Sequence, residues 1–64
     1  MDDKKYRPFP QYKPTDGQAV WFCLFVRGAI GQPGVYDAPN GYFTSPDFVL
    51  PVEWYCVAEW RPRV

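Results

Sequence analysis

Two cysteines, Cys23 and Cys56, carry the most nucleophilic side chains in this 64-residue sequence, and no histidine accompanies them. Without an imidazole, neither the nucleophile–base pair of a cysteine hydrolase nor that of a serine hydrolase can form. Two thiolates alone also cannot complete a tetrahedral zinc site. We therefore expect no catalytic centre, no metal site and no cofactor. Both cysteines lie in apolar runs and are interpreted as buried, reduced thiols rather than a disulfide.

The carboxylates have no spacing that suits catalysis. Glu53 and Glu59 are six residues apart, which is about 20 Å along an extended strand and too far for the paired carboxylates of a retaining glycosidase. Asp37 and Asp47 lie where turns are expected, and turns explain both. The glycines in residues 28–34 have the wrong spacing for a phosphate-binding loop. The sequence therefore predicts a protein that is not an enzyme.

Composition indicates one small domain with a large aromatic content. The chain, residues 1–64, is too short for a second domain, and a chain of this length buries only about 60% of its unfolded surface. Aromatic residues make up 20% of the sequence and add apolar area per residue. Seven basic and seven acidic residues cancel, so no long-range field attracts nucleic acid or an anionic membrane. With no secretory signal or membrane-spanning run, we expect a cytoplasmic protein without a membrane partner.

The apolar run at residues 20–26 is the element around which the chain is expected to fold. It is rich in β-branched and aromatic residues and has no polar alternation, so it predicts a strand, about residues 18–27, that is covered on both faces. One face would carry the even-numbered residues, which are Val20, Phe22, Leu24 and Val26. The other face would carry Trp21, Cys23 and Phe25.

Turn signals divide the rest of the chain into short segments. Residues 13–17 and 45–47 contain proline and aspartate and are typical of turns, and the glycine-rich residues 28–34 indicate a loop. Asn40-Gly41 predicts a hairpin between strands at residues 35–37 and 42–44. The fold class predicted is all-β, a small antiparallel meander of about four or five short strands that forms a bent sheet or a small open barrel.

The C-terminal segment, residues 52–61, alternates with a period of two and so indicates a last strand. Its buried face would carry the apolar even-numbered residues, which are Val52, Trp54, Cys56, Ala58 and Trp60. A helix that begins after Pro51 is the alternative. Pro62 is expected to end the pairing.

Residues 1–12 are expected to form a flexible or extended N-terminal arm. Pro8 and Pro10 exclude a helix and discourage a central strand. An extended arm would lay Tyr6, Phe9 or Tyr12 on the body of the domain. The alternative is that residues 7–10 act as a polyproline-type ligand for an aromatic groove.

Four short motifs follow one another between about residues 14 and 62. They are Pro14-Thr15-Asp16-Gly17-Gln18-x-Val20, Tyr36-Asp37, Asn40-Gly41-Tyr42-Phe43 and Val57-x-x-Trp60-x-Pro62. This order resembles a family of small phage- and prophage-encoded domains of unknown function. The family usually has Met-Pro-Leu-Pro after its closing tryptophan, where this chain has Arg61-Pro62-Arg63. The resemblance implies a phage-derived cytoplasmic accessory protein, and it transfers no catalytic residue.

The function expected from these features is protein interaction. A single meander has one core face, so the second face of the central strand needs another cover. The C-terminal strand or the N-terminal arm could fold over it, or a partner could cover it, since exposed apolar patches mark interfaces. The partner would be a second copy, as a homodimer, or a host or phage protein. The candidate interface residues are Trp21, Phe25, Tyr36, Tyr42 and Tyr55.

The alternative function is binding of single-stranded nucleic acid on a small barrel. Tyr36, Tyr42, Phe43 and Tyr55 would stack on bases if they shared one face. The neutral net charge argues against a nucleic-acid partner.

Overall fold

The structure, a computed structural model, describes residues 5–27 and 30–63. Within those residues the protein is all-β, as predicted: one antiparallel sheet that does not close into a barrel. The strands are β1 Arg7–Pro8, β2 Ala19–Leu24, β3 Gly31–Asp37, β4 Tyr42–Thr44, β5 Val52–Glu53 and β6 Val57–Pro62, and single 3₁₀ turns lie at Phe25–Arg27 and Trp54–Cys56. The spatial order is β1-β6-β2-β3-β4-β5, so β2 pairs on both sides.

Strand β2 contributes the centre of the core, and its even-numbered face is the buried one. Val20, Phe22 and Leu24 are 0%, 0% and 6% exposed, which confirms the predicted face for these three residues. The strand ends at Leu24, however, and the prediction that it continues to residue 27 is wrong. Its ladders to β3 and β6 stop at Cys23 and Leu24. Without a partner strand on either side, the backbone turns into the 3₁₀ segment and leaves Phe25 and Val26 exposed.

Strand β3 begins at Gly31, inside the segment for which a loop was predicted. Gly34 faces the core, where a Cβ atom would lie 2.5 Å from Cε1 of Phe22 and 2.6 Å from the carbonyl oxygen of Thr44. A residue without a side chain therefore allows β2, β3 and β4 to approach closely at this point. Close packing with two neighbouring strands overrides the weak strand propensity of glycine and proline.

The expected hairpin forms where Asn40-Gly41 predicted it. Strand β4 has the predicted bounds, and Gly41 takes a φ of 68°, which a side chain would disfavour. The Asp37 carboxylate accepts hydrogen bonds from the backbone and the side-chain nitrogen of Asn40, at 3.2 and 3.0 Å. Asp37 thus has the turn role expected from the sequence.

The single strand predicted for residues 52–61 is instead divided into β5, a 3₁₀ turn and β6. Strand β5 pairs with β4, whereas β6 pairs with β1 and β2 on the other side of the sheet. One straight strand cannot reach both positions, so the chain turns at Trp54–Cys56 and exposes Trp54 and Cys56, which were predicted to be buried. No longer helix forms here either, and β6 ends at Pro62 as expected.

A register shift in β6 explains which of its side chains are buried. Cys23 lies opposite Glu59 while Leu24 lies opposite Val57, so Ala58 is an extra residue in the ladder. Such a bulge changes the alternation of side chains between the two faces. Val57 and Trp60, three residues apart, both reach the core and are 1% and 3% exposed.

The N-terminal arm covers the open side of the curled sheet. Arg7–Pro8 pairs with β6, and the N–H of Phe9 donates to the carbonyl oxygen of Ala58 at 3.1 Å. The Phe9 side chain is 5% exposed and its ring lies 5.2 Å from that of Phe43 in β4. The indole N–H of Trp60 donates to the carbonyl oxygen of Tyr12 at 2.6 Å. Phe9 therefore contributes to the core, and residues 7–10 are not presented as a free polyproline ligand.

The two substitutions Gly34→Ala and Gly31→Ala should have clearly different effects on stability. At Gly34 the new methyl group meets a buried ring and a backbone carbonyl, so we expect a loss of about 1–3 kcal/mol, as in other overpacked cores. At Gly31 it meets the hydroxyl of Tyr6, the far end of a half-buried side chain that can shift at the cost of its hydrogen bonds with Cys23 and Arg61, so we expect a smaller loss, of about 1 kcal/mol or less. Urea denaturation of the two variants and the parent measures both values. Equal losses would contradict the close approach at Gly34.

Candidate functional site

The five residues proposed as an interface do not form one surface. Tyr36 is 5% exposed and belongs to the core, where its ring lies 4.9 Å from that of Phe43. Phe25 and Tyr55 are exposed in different 3₁₀ turns, at 66% and 63%. Trp21 and Tyr42 are half-buried on strands β2 and β4. The condition for base stacking, that Tyr36, Phe43, Tyr42 and Tyr55 share one exposed face, is not met, because the first two are buried in the core.

Trp21 lies in a row of aromatic and arginine side chains on the outer face of the sheet. The register places Arg61 directly opposite Trp21. The guanidinium carbon of Arg61 is 5.4 Å from the ring centre of Tyr6 and 5.8 Å from that of Trp21, and Arg63 is 5.9 Å from Trp21. Arg63 also donates to the carbonyl oxygen of Gly34 at 3.2 Å. Cation–π contacts of this kind give Trp21 a partial cover from within the chain.

The two cysteines differ in accessibility, contrary to the expectation that both are buried. Cys23, on the same outer face, is 1% exposed, whereas Cys56 in the second 3₁₀ turn is exposed, and both are free thiols. Burial raises the pKa of the Cys23 thiol, and a hydrogen bond with Tyr6 opposes that rise. Burial also raises the pKa of the Tyr6 phenol, while its hydrogen bond with Arg61 acts in the opposite direction. The raised pKa disfavours the thiolate of Cys23, which is the reactive form of a cysteine.

A cleft of about 290 Å³ lies between the N-terminal arm and the β3–β4 turn. Its lining residues are Phe9, Pro10, Lys13, Tyr36, Ala38, Gly41 and Trp54. The backbone N–H of Trp54 donates to the carbonyl oxygen of Gly41 at 3.1 Å, and the Trp54 residue remains 47% exposed. Lys13 carries the single charge among the lining residues. Sequence reasoning missed this site because its residues come from three segments that are distant along the chain.

Several large apolar side chains remain on the surface near the β4–β5 loop, residues 45–51. Val49 is fully exposed, at 101%, and Leu50 is 76% exposed. Trp54 and Tyr55 follow shortly after, with their ring centres 5.8 Å apart in an edge-to-face contact. A second exposed apolar group lies between β2 and β3, where Val26 and Ile30 are 89% and 62% exposed.

Side chains that bind metal ions do not gather into a site within the described residues. Glu53 and Glu59 lie on strands at different positions of the sheet, and no group of three histidine, cysteine or carboxylate side chains there could hold a metal ion. Asp47 lies in the predicted turn at 45–47, where its N–H donates to the Ser45 hydroxyl at 3.2 Å. Across residues 5–27 and 30–63, no helix has the length and apolar character needed to cross a bilayer.

Comparisons with protein-family models, with curated proteins and with solved structures found no match for this chain. The resemblance to small phage and prophage domains therefore stays a prediction that depends on its short motifs.

The two thiols should react with a thiol reagent at very different rates in the folded protein. Cys56 is exposed and should be labelled first, whereas Cys23 is buried and must wait for an opening of the structure, so we expect it to react at least about tenfold more slowly. Mass spectrometry of the time course in the parent and in Cys56→Ser separates the two rates. Rapid labelling of Cys56→Ser without denaturant would contradict the burial of Cys23.

Proposed function

We propose that this protein is a non-enzymatic protein-interaction module. The observation that supports the proposal is the set of large apolar side chains exposed between residues 49 and 55. Isolated surface apolar residues are ordinary, but a group of this size in so small a domain is typical of an interaction site. Tryptophan and tyrosine, which both occur here, are also enriched in the energetic centres of interfaces.

The contact surface proposed here differs from the one that the sequence suggested, which included Trp21 and Phe25. A partner was one of the covers considered for Trp21, beside the C-terminal strand and the N-terminal arm, and in the structure Arg61 and Arg63 already lie against it. Phe25 remains exposed in the first 3₁₀ turn and is available for a separate contact. The segment from Val49 to Tyr55 has the larger unpaired apolar surface and is the main surface we assign to interaction.

The resemblance to small phage and prophage domains adds a phage-derived origin to the proposal. A phage- or prophage-encoded accessory protein without a catalytic centre would act by binding a protein, which is either a second copy of itself or a component of the phage or its host. The absence of a histidine in the sequence is consistent with a binding role rather than acid–base catalysis.

The interaction surface is tested by Val49→Ser/Leu50→Ser, with Val26→Ser/Ile30→Ser as the matched control. All four side chains are exposed, so each double variant should keep its stability within about 1 kcal/mol of the parent. Each form carries an affinity tag and is expressed together with a second copy that carries a different tag. After crosslinking in the cells, the proteins retained on the affinity resin are quantified by mass spectrometry. We expect one protein to be retained in stoichiometric amounts by the parent and the control and lost by Val49→Ser/Leu50→Ser. Equal retention by all three forms would contradict the assignment.

A second candidate function, binding of single-stranded nucleic acid, is favoured by one specific observation. Trp21 is half-buried between two guanidinium groups on the outer sheet face, and Tyr6 extends the same row. Aromatic rings beside arginines bind bases by stacking and the backbone by charge. The net charge of zero makes this the weaker candidate.

Titration with an oligothymidine, followed by quenching of tryptophan fluorescence, distinguishes the two functions. If protein interaction is the function, binding at physiological salt should be weak, with a dissociation constant of about 1–100 μM or higher, no tighter than ordinary non-specific binding. Submicromolar binding that falls steeply with salt and is reduced in Arg63→Gln, but not in the control Lys5→Gln, would instead establish the nucleic-acid function.

A further inference from the structure

The cleft beside Trp54 is shaped before any ligand arrives. Its floor is made by core residues, since Phe9 and Tyr36 are each 5% exposed and their ring centres lie 5.9 Å apart. Its wall is the side chain of Trp54, a residue whose backbone N–H is hydrogen-bonded to Gly41. A cleft whose floor is already formed by packed core side chains reduces the entropy lost when a partner binds.

The chemistry of the cleft selects an apolar occupant that carries a negative charge. Lys13, its single charged lining residue, has no carboxylate partner among the described residues. The volume of about 290 Å³ lies at the lower end of the range of about 300–1,000 Å³ for small-molecule sites. It therefore suits a few side chains better than a large cofactor.

The β4–β5 loop of the protein itself has the complementary chemistry. Val49 and Leu50 are its exposed large apolar side chains, and Asp47 is exposed two residues before Val49 without a cationic partner among the described residues. The loop is also organised in advance. The hydroxyl and the carbonyl oxygen of Ser45 accept hydrogen bonds from the N–H groups of Asp47 and Phe48, both at 3.2 Å.

The anchoring of this loop keeps its apolar tip away from its own core. Phe48 packs against the core cluster, whereas Val49 and Leu50, the next two residues, contribute almost nothing to it. Pro46 and Pro51 restrict the backbone on either side of the tip. The loop thus presents two apolar side chains and one carboxylate in a restricted backbone, which lowers the cost of binding.

We propose that the β4–β5 loop of one copy inserts into the cleft of a second copy. Val49 and Leu50 contact the rings that line the cleft, and Asp47 pairs with Lys13. Because each copy has both the loop and the cleft, two reciprocal contacts close a two-fold dimer. This inference rests on the proposed function, since it names the partner and the contact of the same exposed segment.

Charge reversal at the two ends of the contact tests the pairing. In Lys13→Glu two carboxylates would meet in each contact, and in Asp47→Lys two ammonium groups would meet. We expect either variant alone to raise the dissociation constant of the dimer by about tenfold or more, since two contacts are affected in each dimer. The matched control is Lys5→Glu, which changes an exposed lysine outside the cleft and should leave the dissociation constant of the dimer unchanged. Sedimentation of each form at several concentrations gives these constants.

Mixing the two variants gives the most specific result. In a mixed dimer, the cleft of the Lys13→Glu chain receives the loop of the Asp47→Lys chain, and the two reversed charges attract each other. The other contact joins the unchanged Lys13 of one chain to the unchanged Asp47 of the other. We expect the equimolar mixture to recover the affinity of the parent within about threefold, because it restores both charge pairs and changes nothing else. A synthetic peptide of residues 45–51 should compete with the dimer, and the same peptide with serine at positions 49 and 50 should not.

The outcomes separate this inference from the proposed function. A parent that stays monomeric at high micromolar concentration overturns the dimer, and so does a mixture that stays as weak as its components. If Val49→Ser/Leu50→Ser abolishes partner retention while the charge reversals have no effect, the interaction function stands and the cleft is not its docking site. If the peptide binds but the parent does not dimerise, the cleft accepts a foreign segment and the second copy is excluded as its occupant.

Discussion

The contact of Phe9 with Phe43 and Tyr36 is the interaction on which the rest of the structure depends. Phe9 follows the strand at one edge of the sheet, whereas Tyr36 and Phe43 belong to strands near the other edge. The sheet must curl to bring them together, and the stacked ring of Phe22, 5.1 Å from Phe43, fills the space between. This aromatic core lets a sheet with one buried face close over itself without becoming a barrel. The area that the rings bury is what so short a chain needs for stability.

The same curling creates the cleft. It brings the segment after β1 beside the β3–β4 turn, and the 3₁₀ turn that carries the chain from β5 to β6 places Trp54 at the third side. The core and the cleft therefore share Phe9 and Tyr36. A substitution at either residue would alter both stability and binding, whereas Lys13, Asp47, Val49 and Leu50 are exposed and can be changed separately.

The outer face of the sheet shows how a small protein covers a strand that is apolar on both sides. No second layer lies over Trp21 and Cys23 within the described residues. Instead, arginines from β6 and from the residue after it, together with Tyr6, lie along the face. Arginine suits this role because its planar guanidinium covers an aromatic ring while its charge remains hydrated. Cys23 points away from the core, but its thiol is buried because this layer of side chains lies over it.

Much of the fold was determined by local sequence signals. The class, the Asn40-Gly41 hairpin, strand β4, the even-numbered face of β2 and the stop at Pro62 each depend on residues close in sequence. The tertiary structure alone decided where β2 ends, how residues 52–61 divide, and that glycine and proline enter β3. All three features depend on which strands become neighbours in the sheet. A turn is determined by residues that are adjacent in sequence, whereas strand pairing joins residues that are distant along the chain. The cleft is undetectable from sequence for the same reason, because its lining comes from positions 9 to 54 and is assembled only by the curl of the sheet.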